Sequence, residues 1–274
     1  MLNNRKEQLA ALERLLDVLD RLRAECPWDK KQTYQSLRPN TIEETFELCD
    51  ALMKEDKKNI CKELGDVLMH VMFYSKIGSE TEDFDIADVA NQQADKLIFR
   101  HPHIYGEVKA DTADDVLKSW EKIKLKEKDG NKTVLAGVPA SLPSLIKAYR
   151  IQDKTRNVGF DWEDRNDVWK KVHEEIDELQ AELERMDAAS VNANDDEKKA
   201  AKADAEKEFG DVLFSMINAA RLYKLNPDNA LESTNQKFIK RFNYIEQKAA
   251  EQGRSVADMT LAEMDKYWEE AKKL

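Results

Sequence analysis

The chain repeats itself once. TIEETFEL at 41–48 returns as VHEEIDEL at 172–179, and KELGDVLMHVMFY at 62–74 returns as KEFGDVLFSMINA at 207–219. Shorter echoes keep the order: PWD (27–29) with GFD (159–161), DKLIFR (95–100) with QKFIKR (236–241), SWEKIK (119–124) with YWEEAK (267–272). Matched segments in one order mean two copies of one structural unit, so whatever one half folds into, the other must too. The main difference is a gap: Glu47 to Glu63 is 16 residues, whereas Glu178 to Glu208 is 30. Neither copy is expected to bury its apolar faces alone, which calls for pairing within the chain or in a homodimer.

The unit is helical. Gly and Pro number only 8 and 6 in 274 residues, about 5% against roughly 12% in average proteins. Alternating strand patterns are absent, and 36% of residues are charged. The expected class is all-α, a tandem repeat of helical bundles. Helices are expected near 41–54 (N-cap Thr41), 58–77, 86–100, 113–126, 167–187, 206–224, 228–252 and 261–273. HPHIYGE (101–107) and NVGFDWED (157–164) read as loops, and 188–205 as a polar, Ala-rich stretch. The expected domains are 1–128 and 147–274, joined by a Gly- and Pro-containing linker at 129–146.

Composition also excludes. No GxGxxG, GxxxxGK[ST] or GxSxG occurs, so the glycine loops of dinucleotide, P-loop and nucleophile-elbow sites are missing. A net charge of −11 disfavours direct nucleic-acid binding. No run of apolar residues approaches membrane-spanning length. Cys26, Cys49 and Cys61 share no CxxC spacing, which fits a reducing compartment. The expected location is the cytoplasm.

The chemistry lies in acids. Each copy reads E-E-x-x-E, then E-x-x-D on the next helix: Glu43, Glu44, Glu47, Glu63 and Asp66, then Glu174, Glu175, Glu178, Glu208 and Asp211. Residues three or four apart share a helix face, so antiparallel neighbours bring these carboxylates together. Beside the apolar run Val212–Phe214 that convergence is costly unless a cation neutralises it. An all-oxygen donor set suits Mg²⁺ or Mn²⁺. Solvated helix faces are the ordinary explanation of Glu pairs, but pairing with a downstream ExxD, twice, argues against it. A di-iron bundle wants Glu-x-x-His, and no His stands three after Glu178 or Glu208. Lys171, Lys237 and Arg241 suit a polyphosphate, and Trp268 or Phe238 a base, although each is an ordinary residue taken alone. Asn218, seven after Asp211, is either a ligand contact or a satisfied core amide.

Taken together, HEEIDEL…EFGDVLF, EETFEL…ELGDVLM, NVGFDW, RHPHIYG and QKFIKRF resemble the MazG family of all-α nucleoside triphosphate pyrophosphohydrolases, over residues 5–273. The resemblance implies hydrolysis of NTPs and dNTPs to monophosphate and pyrophosphate, Mg²⁺ dependence and a homodimer. It implies that the C-terminal repeat is the active one. It makes Glu175, Glu178, Glu208 and Asp211 metal ligands; the repeat itself offers Glu44, Glu47, Glu63 and Asp66 as a second candidate set. It places Lys171, Glu174, Lys237, Arg241 and Trp268 against nucleotide. Glu174 is the candidate general base or water-orienting group. The first copy has Asn40 in place of Lys171, which fits a structural role. The alternative is a catalytically silent helical module that binds nucleotide or a regulatory partner.

Overall fold

The computed structural model describes residues 3–108 and 133–274, with 112, 116 and 123 between them. The helix expected at 113–126, with Trp120, lies outside the described residues apart from 116 and 123. Every regular element among the described residues is helical. The chain divides into two compact units, Met1–Lys109 and Ala110–Leu274.

The first unit holds α1 (Arg5–Glu25), α2 (Tyr34–Met53), α3 (Lys57–Glu80), α4 (Ile86–Arg100) and a short α5 (Pro102–Tyr105). The last of these occupies what reads as a loop in sequence. Helices α2 and α3, joined by a three-residue turn, form a hairpin that carries the first acid set. Leu19, Leu37, Met72 and Phe73 form its core.

Helix α2 begins well before Thr41. Thr33 is its N-cap, in a reciprocal capping box with Ser36. Pro39 therefore sits inside the helix, where it forfeits a hydrogen bond at a cost of about 3 kcal/mol. The capping box and the burial of Leu37 offset it. Thr41 has a different task. Its hydroxyl donates to the Leu37 carbonyl and meets His70 Nδ1 at 3.1 Å and Tyr74 OH, tying α2 to α3.

The second unit holds α6 (Ser144–Arg156), α7 (Val168–Asn192), α8 (Asp195–Leu222), α9 (Pro227–Glu251) and α10 (Leu261–Ala271). Helix α6 falls partly in the expected linker and was not foreseen. The 14 extra residues of this copy do not form a loop. They lengthen both arms of the α7–α8 hairpin. Alanine is the best helix former, and Ala201 and Ala205 are buried. Asn194 caps α8 in a box with Glu197, and Arg185 reaches Asp204 across the hairpin at 2.8 Å. A separate core of Ile245, Ala249 and Met259 binds α9 to α10.

Candidate active site

The α7–α8 hairpin brings the second acid set together as the helical spacing requires. Oxygens of Glu175, Glu178 and Glu208 lie within 4.8 Å of one another. Glu175 is buried, Glu208 half-buried and Glu178 exposed. Asp211 stands outside this group, so three of the four expected ligands converge. Such a cluster fits a hard divalent cation: all donors are carboxylate oxygens, and the lysines beside them, Lys171 on Glu175 and Lys207 on Glu208, offset only part of their mutual repulsion. Desolvation first, then the charges of Glu175, Glu174 and Glu208, push the Glu178 carboxyl above its ordinary value against the opposing pull of Lys171.

Lys171, one turn before Glu175, bonds Glu174 at 2.8 Å and Glu175 at 2.7 Å. These two hydrogen bonds hold its ammonium charged well past the ordinary lysine range. Glu174 is thus tied to Lys171. It lines neither of the two cavities described next, which weakens its case as the water-activating base.

Two cavities meet at this cluster. An acidic trough of about 600 Å³ is lined by Lys171, Glu175, Glu178, Glu182, Lys207, Glu208 and Asp211. A mainly apolar cavity of about 480 Å³ is lined by Gln152, Phe160, Trp162, Phe214 and Asn218, among others. Lys171, Glu175 and Asp211 belong to both. A site with an aromatic half and a carboxylate half joined at a lysine can take a ligand with one flat apolar end and one anionic, metal-liganded end.

The wall of the apolar cavity rests on an ion pair that sequence reasoning did not find. Arg221, almost wholly buried, donates to both carboxylate oxygens of Asp161, through Nη1 at 3.0 Å and through Nη2. It also donates to Asn218 Oδ1 at 2.7 Å. Burial works to raise Asp161, but the hydrogen bond and charge of Arg221 prevail and hold the carboxyl below its ordinary range. Asn218 therefore serves as a partner of Arg221 on the cavity wall. Glu182 was also missed. It follows Glu178 by four residues, and its Oε2 is buried without a donor.

Lys237, Arg241 and Trp268 lie elsewhere in the unit. Arg241 stacks over Trp268 at 5.4 Å, and Phe238 packs on the same indole with ring centres 5.0 Å apart. None of the three lines the trough or the apolar cavity.

The first unit carries the same plan, altered. Glu44, Glu47 and Glu63 also converge within 4.8 Å, with Asp66 again outside. Here Lys62 is 2.9 Å from Glu63, 3.9 Å from Glu47 and 4.0 Å from Asp66. Desolvation, then Asp66, Glu47 and Glu63, raise Glu44. The adjoining cavity is about 260 Å³, lined by residues that include Leu19, Asn40, Met69, His70 and Phe73.

Comparison with known proteins agrees with this plan. Residues 32–105 match the MazG nucleotide pyrophosphohydrolase domain. The chain is 38% identical over 267 residues to the nucleoside triphosphate pyrophosphohydrolase of Escherichia coli K12, covering 96% of this chain and 97% of that protein. It is 36% identical over 270 residues to the nucleoside triphosphate pyrophosphohydrolase/pyrophosphatase MazG of Thermotoga maritima, covering 97% and 98%. It is 45% identical over 248 residues to the uncharacterized protein YabN of Bacillus subtilis, covering 90% of this chain and 48% of that protein. An all-α fold with this likeness to nucleoside triphosphate pyrophosphohydrolases over nearly the whole chain defines a hydrolase of acid anhydrides. The chain belongs to the MazG family of nucleotide pyrophosphohydrolases.

Proposed function

We propose that the chain is a Mg²⁺-dependent nucleoside triphosphate pyrophosphohydrolase, cleaving NTPs and dNTPs to the monophosphate and pyrophosphate in its C-terminal repeat, residues 147–274. One observation carries the reading beyond family membership: the apolar cavity and the acidic trough share Lys171, Glu175 and Asp211. The base and sugar enter the cavity beside Phe160, Trp162 and Phe214, and the triphosphate crosses the junction into the trough.

Glu175, Glu178 and Glu208 would hold Mg²⁺, or Mn²⁺ in its place, with Asp211 beside them; when bound, the ion would supply polarisation of the phosphoryl oxygens and a lowered water pKa. Lys171 meets phosphate charge at the junction, and Glu174 keeps it pointed there. A water oxygen attacks the α-phosphorus, the bond to the bridging oxygen breaks, and pyrophosphate leaves with the electron pair. The water proton passes to a trough carboxylate. Glu182 is suited to this, since its Oε2 has no donor.

The chain works as a cytoplasmic homodimer in this proposal. Ile42, Phe46 and Leu64 on one hairpin, and Ile176, Phe209 and Leu213 on the other, are exposed apolar residues that a second copy would cover. Lys237, Arg241 and Trp268 reach nucleotide only in that assembly.

The test is pyrophosphate release from the common NTPs and dNTPs, with and without Mg²⁺. Release of pyrophosphate, not phosphate, that stops on chelation is expected. Nucleotide binding with no release at any metal concentration would instead establish the silent binding module.

A further inference from the structure

Among the polar residues of the apolar cavity that the reaction does not use, Gln152 alone keeps a buried side-chain atom with no partner. Gln152, on α6, is 5% exposed and lines the cavity. Its Nε2 donates to the Phe214 backbone carbonyl at 2.8 Å. A carbonyl oxygen only accepts, so this bond fixes which end of the amide is which. The other end, Oε1, is buried and has no donor. A buried acceptor left alone is disfavoured by the full desolvation of the group, and such groups in native proteins have a reason.

We infer that Gln152 determines base specificity: its Oε1 accepts a hydrogen bond from an N–H on the edge of the bound nucleobase. This deepens the proposed function and rests on it for the placing of the base. The chemistry is that of an acceptor in a mostly apolar slot. It favours any base that presents an amino or ring N–H and rejects the same ring without one. Phe160 and Trp162 give the slot its flat walls, and the hydrogen bond sets how deep the base sits. Gln152 touches no phosphate, so its effect falls on selection rather than on the chemical step.

The experiment compares substrates with and without an N–H donor on the base edge, the donor being an amino group in one partner and a ring N–H beside a carbonyl in the other. Purine riboside triphosphate has no N–H on its base edge; ATP adds an exocyclic one and ITP a ring one. Pyrimidin-2-one riboside triphosphate stands in the same relation to CTP and UTP. kcat and KM are measured for the wild type and for Gln152→Met, which keeps volume and removes the acceptor. Gln152→Leu serves if Met does not fold, and melting curves monitor folding. The wild type is expected to prefer at least one donor-bearing substrate over its donor-free partner by about 5- to 150-fold in kcat/KM, mostly through KM. The variant is expected to reduce that preference to within about twofold. The inference is overturned if the wild type treats every pair alike, or if the folded variant keeps the preference. It is also overturned if the variant loses all substrates equally, ribose 5-triphosphate included, since that marks a purely structural residue. If the wild type releases no pyrophosphate at all, the proposed function fails instead. Calorimetric binding of the same six nucleotides then still decides the role of Gln152.

Discussion

The two hairpins are the same device at two settings. In the first, Lys62 approaches Glu63, Glu47 and Asp66 within 4.0 Å, so an internal ammonium does the neutralising. In the second, two lysines divide the work: Lys207 bonds Glu208 at 3.0 Å, and Lys171, at the cavity junction, bonds Glu175 at 2.7 Å. Counting from each Asp extends the contrast. Four, seven and eight residues after Asp66 stand His70, Phe73 and Tyr74; after Asp211 stand Ser215, Asn218 and Ala219. Bulk has been exchanged for room, and the cavity is about 480 Å³ in the second unit against about 260 Å³ in the first. Ten residues after each Asp, Lys76 pairs with Asp20 at the surface, whereas Arg221 is buried with Asp161. Side-chain exchanges on matched helices are thus accompanied by a larger cavity in one copy than in the other.

The sharpest way to break the comparison is to remove one acid from each copy. Glu178→Ala should lower pyrophosphate release at least 100-fold, since even outer partners of metal ligands typically matter 10–100-fold. Glu47→Ala should leave it within about twofold. The reverse pattern in steady-state rates would exchange the roles of the two units.

Stability offers the next contrast. Arg221→Met strands the Asp161 carboxylate, and breaking a buried pair this way costs about 3 kcal/mol. Lys76→Met, at a partly exposed pair, should cost about 1 kcal/mol or less. Urea midpoints of the two variants measure the difference. Equal losses would mean that the Asp161 pair is no more buried in energy than in sequence.

A smaller effect concerns the lysine at the junction. Lys171→Asn installs the first unit's residue, Asn40, in the second. It should raise KM for NTPs about tenfold, the size of one charge-assisted hydrogen bond to phosphate. An unchanged KM would remove Lys171 from the nucleotide.

The smallest effect is electrostatic. Glu178 sits above its ordinary pKa, so the folded state holds that proton more tightly than the unfolded chain does. The sign follows: its contribution to stability is present at acid pH and is lost as pH rises through the folded pKa. Without divalent cation, Glu178→Gln should therefore melt slightly higher than wild type at neutral pH, and the gap should close toward the acid side of the carboxylate range. Mg²⁺ should stabilise the wild type and not the variant. Melting curves on a pH series, with and without Mg²⁺, read both signs.

Local pattern carried much of this. The acids sit on the faces that i, i+3 and i+4 spacing assigns them, and the helix at 86–100 has the bounds its periodicity predicts. Contacts between distant residues were not legible. Arg221 and Asp161 are 60 residues apart, and neither looks unusual in its own segment. Gln152 lies on a helix hidden behind Pro143 and a linker-like composition, and its meaning depends on a carbonyl 62 residues on. Thr41 reads as an N-cap because turn residues precede it and Glu44 follows three residues on; the capping box at Thr33 and the burial of Leu37 show that the helix starts earlier. Lys237 and Arg241 suit a phosphate by composition, yet Arg241 lies over the Trp268 indole, and neither residue lines the trough or the apolar cavity.

The long hairpin of the second unit has a practical consequence. Its arms continue fourteen residues past Glu178 before the turn at Ala193, about 21 Å at helical rise. The far end belongs to neither cavity, and Asn194 restarts the second arm with its own cap. The turn is therefore a natural graft point. A fluorophore, affinity tag or binding peptide inserted there would ride on a stiff rod and leave turnover intact.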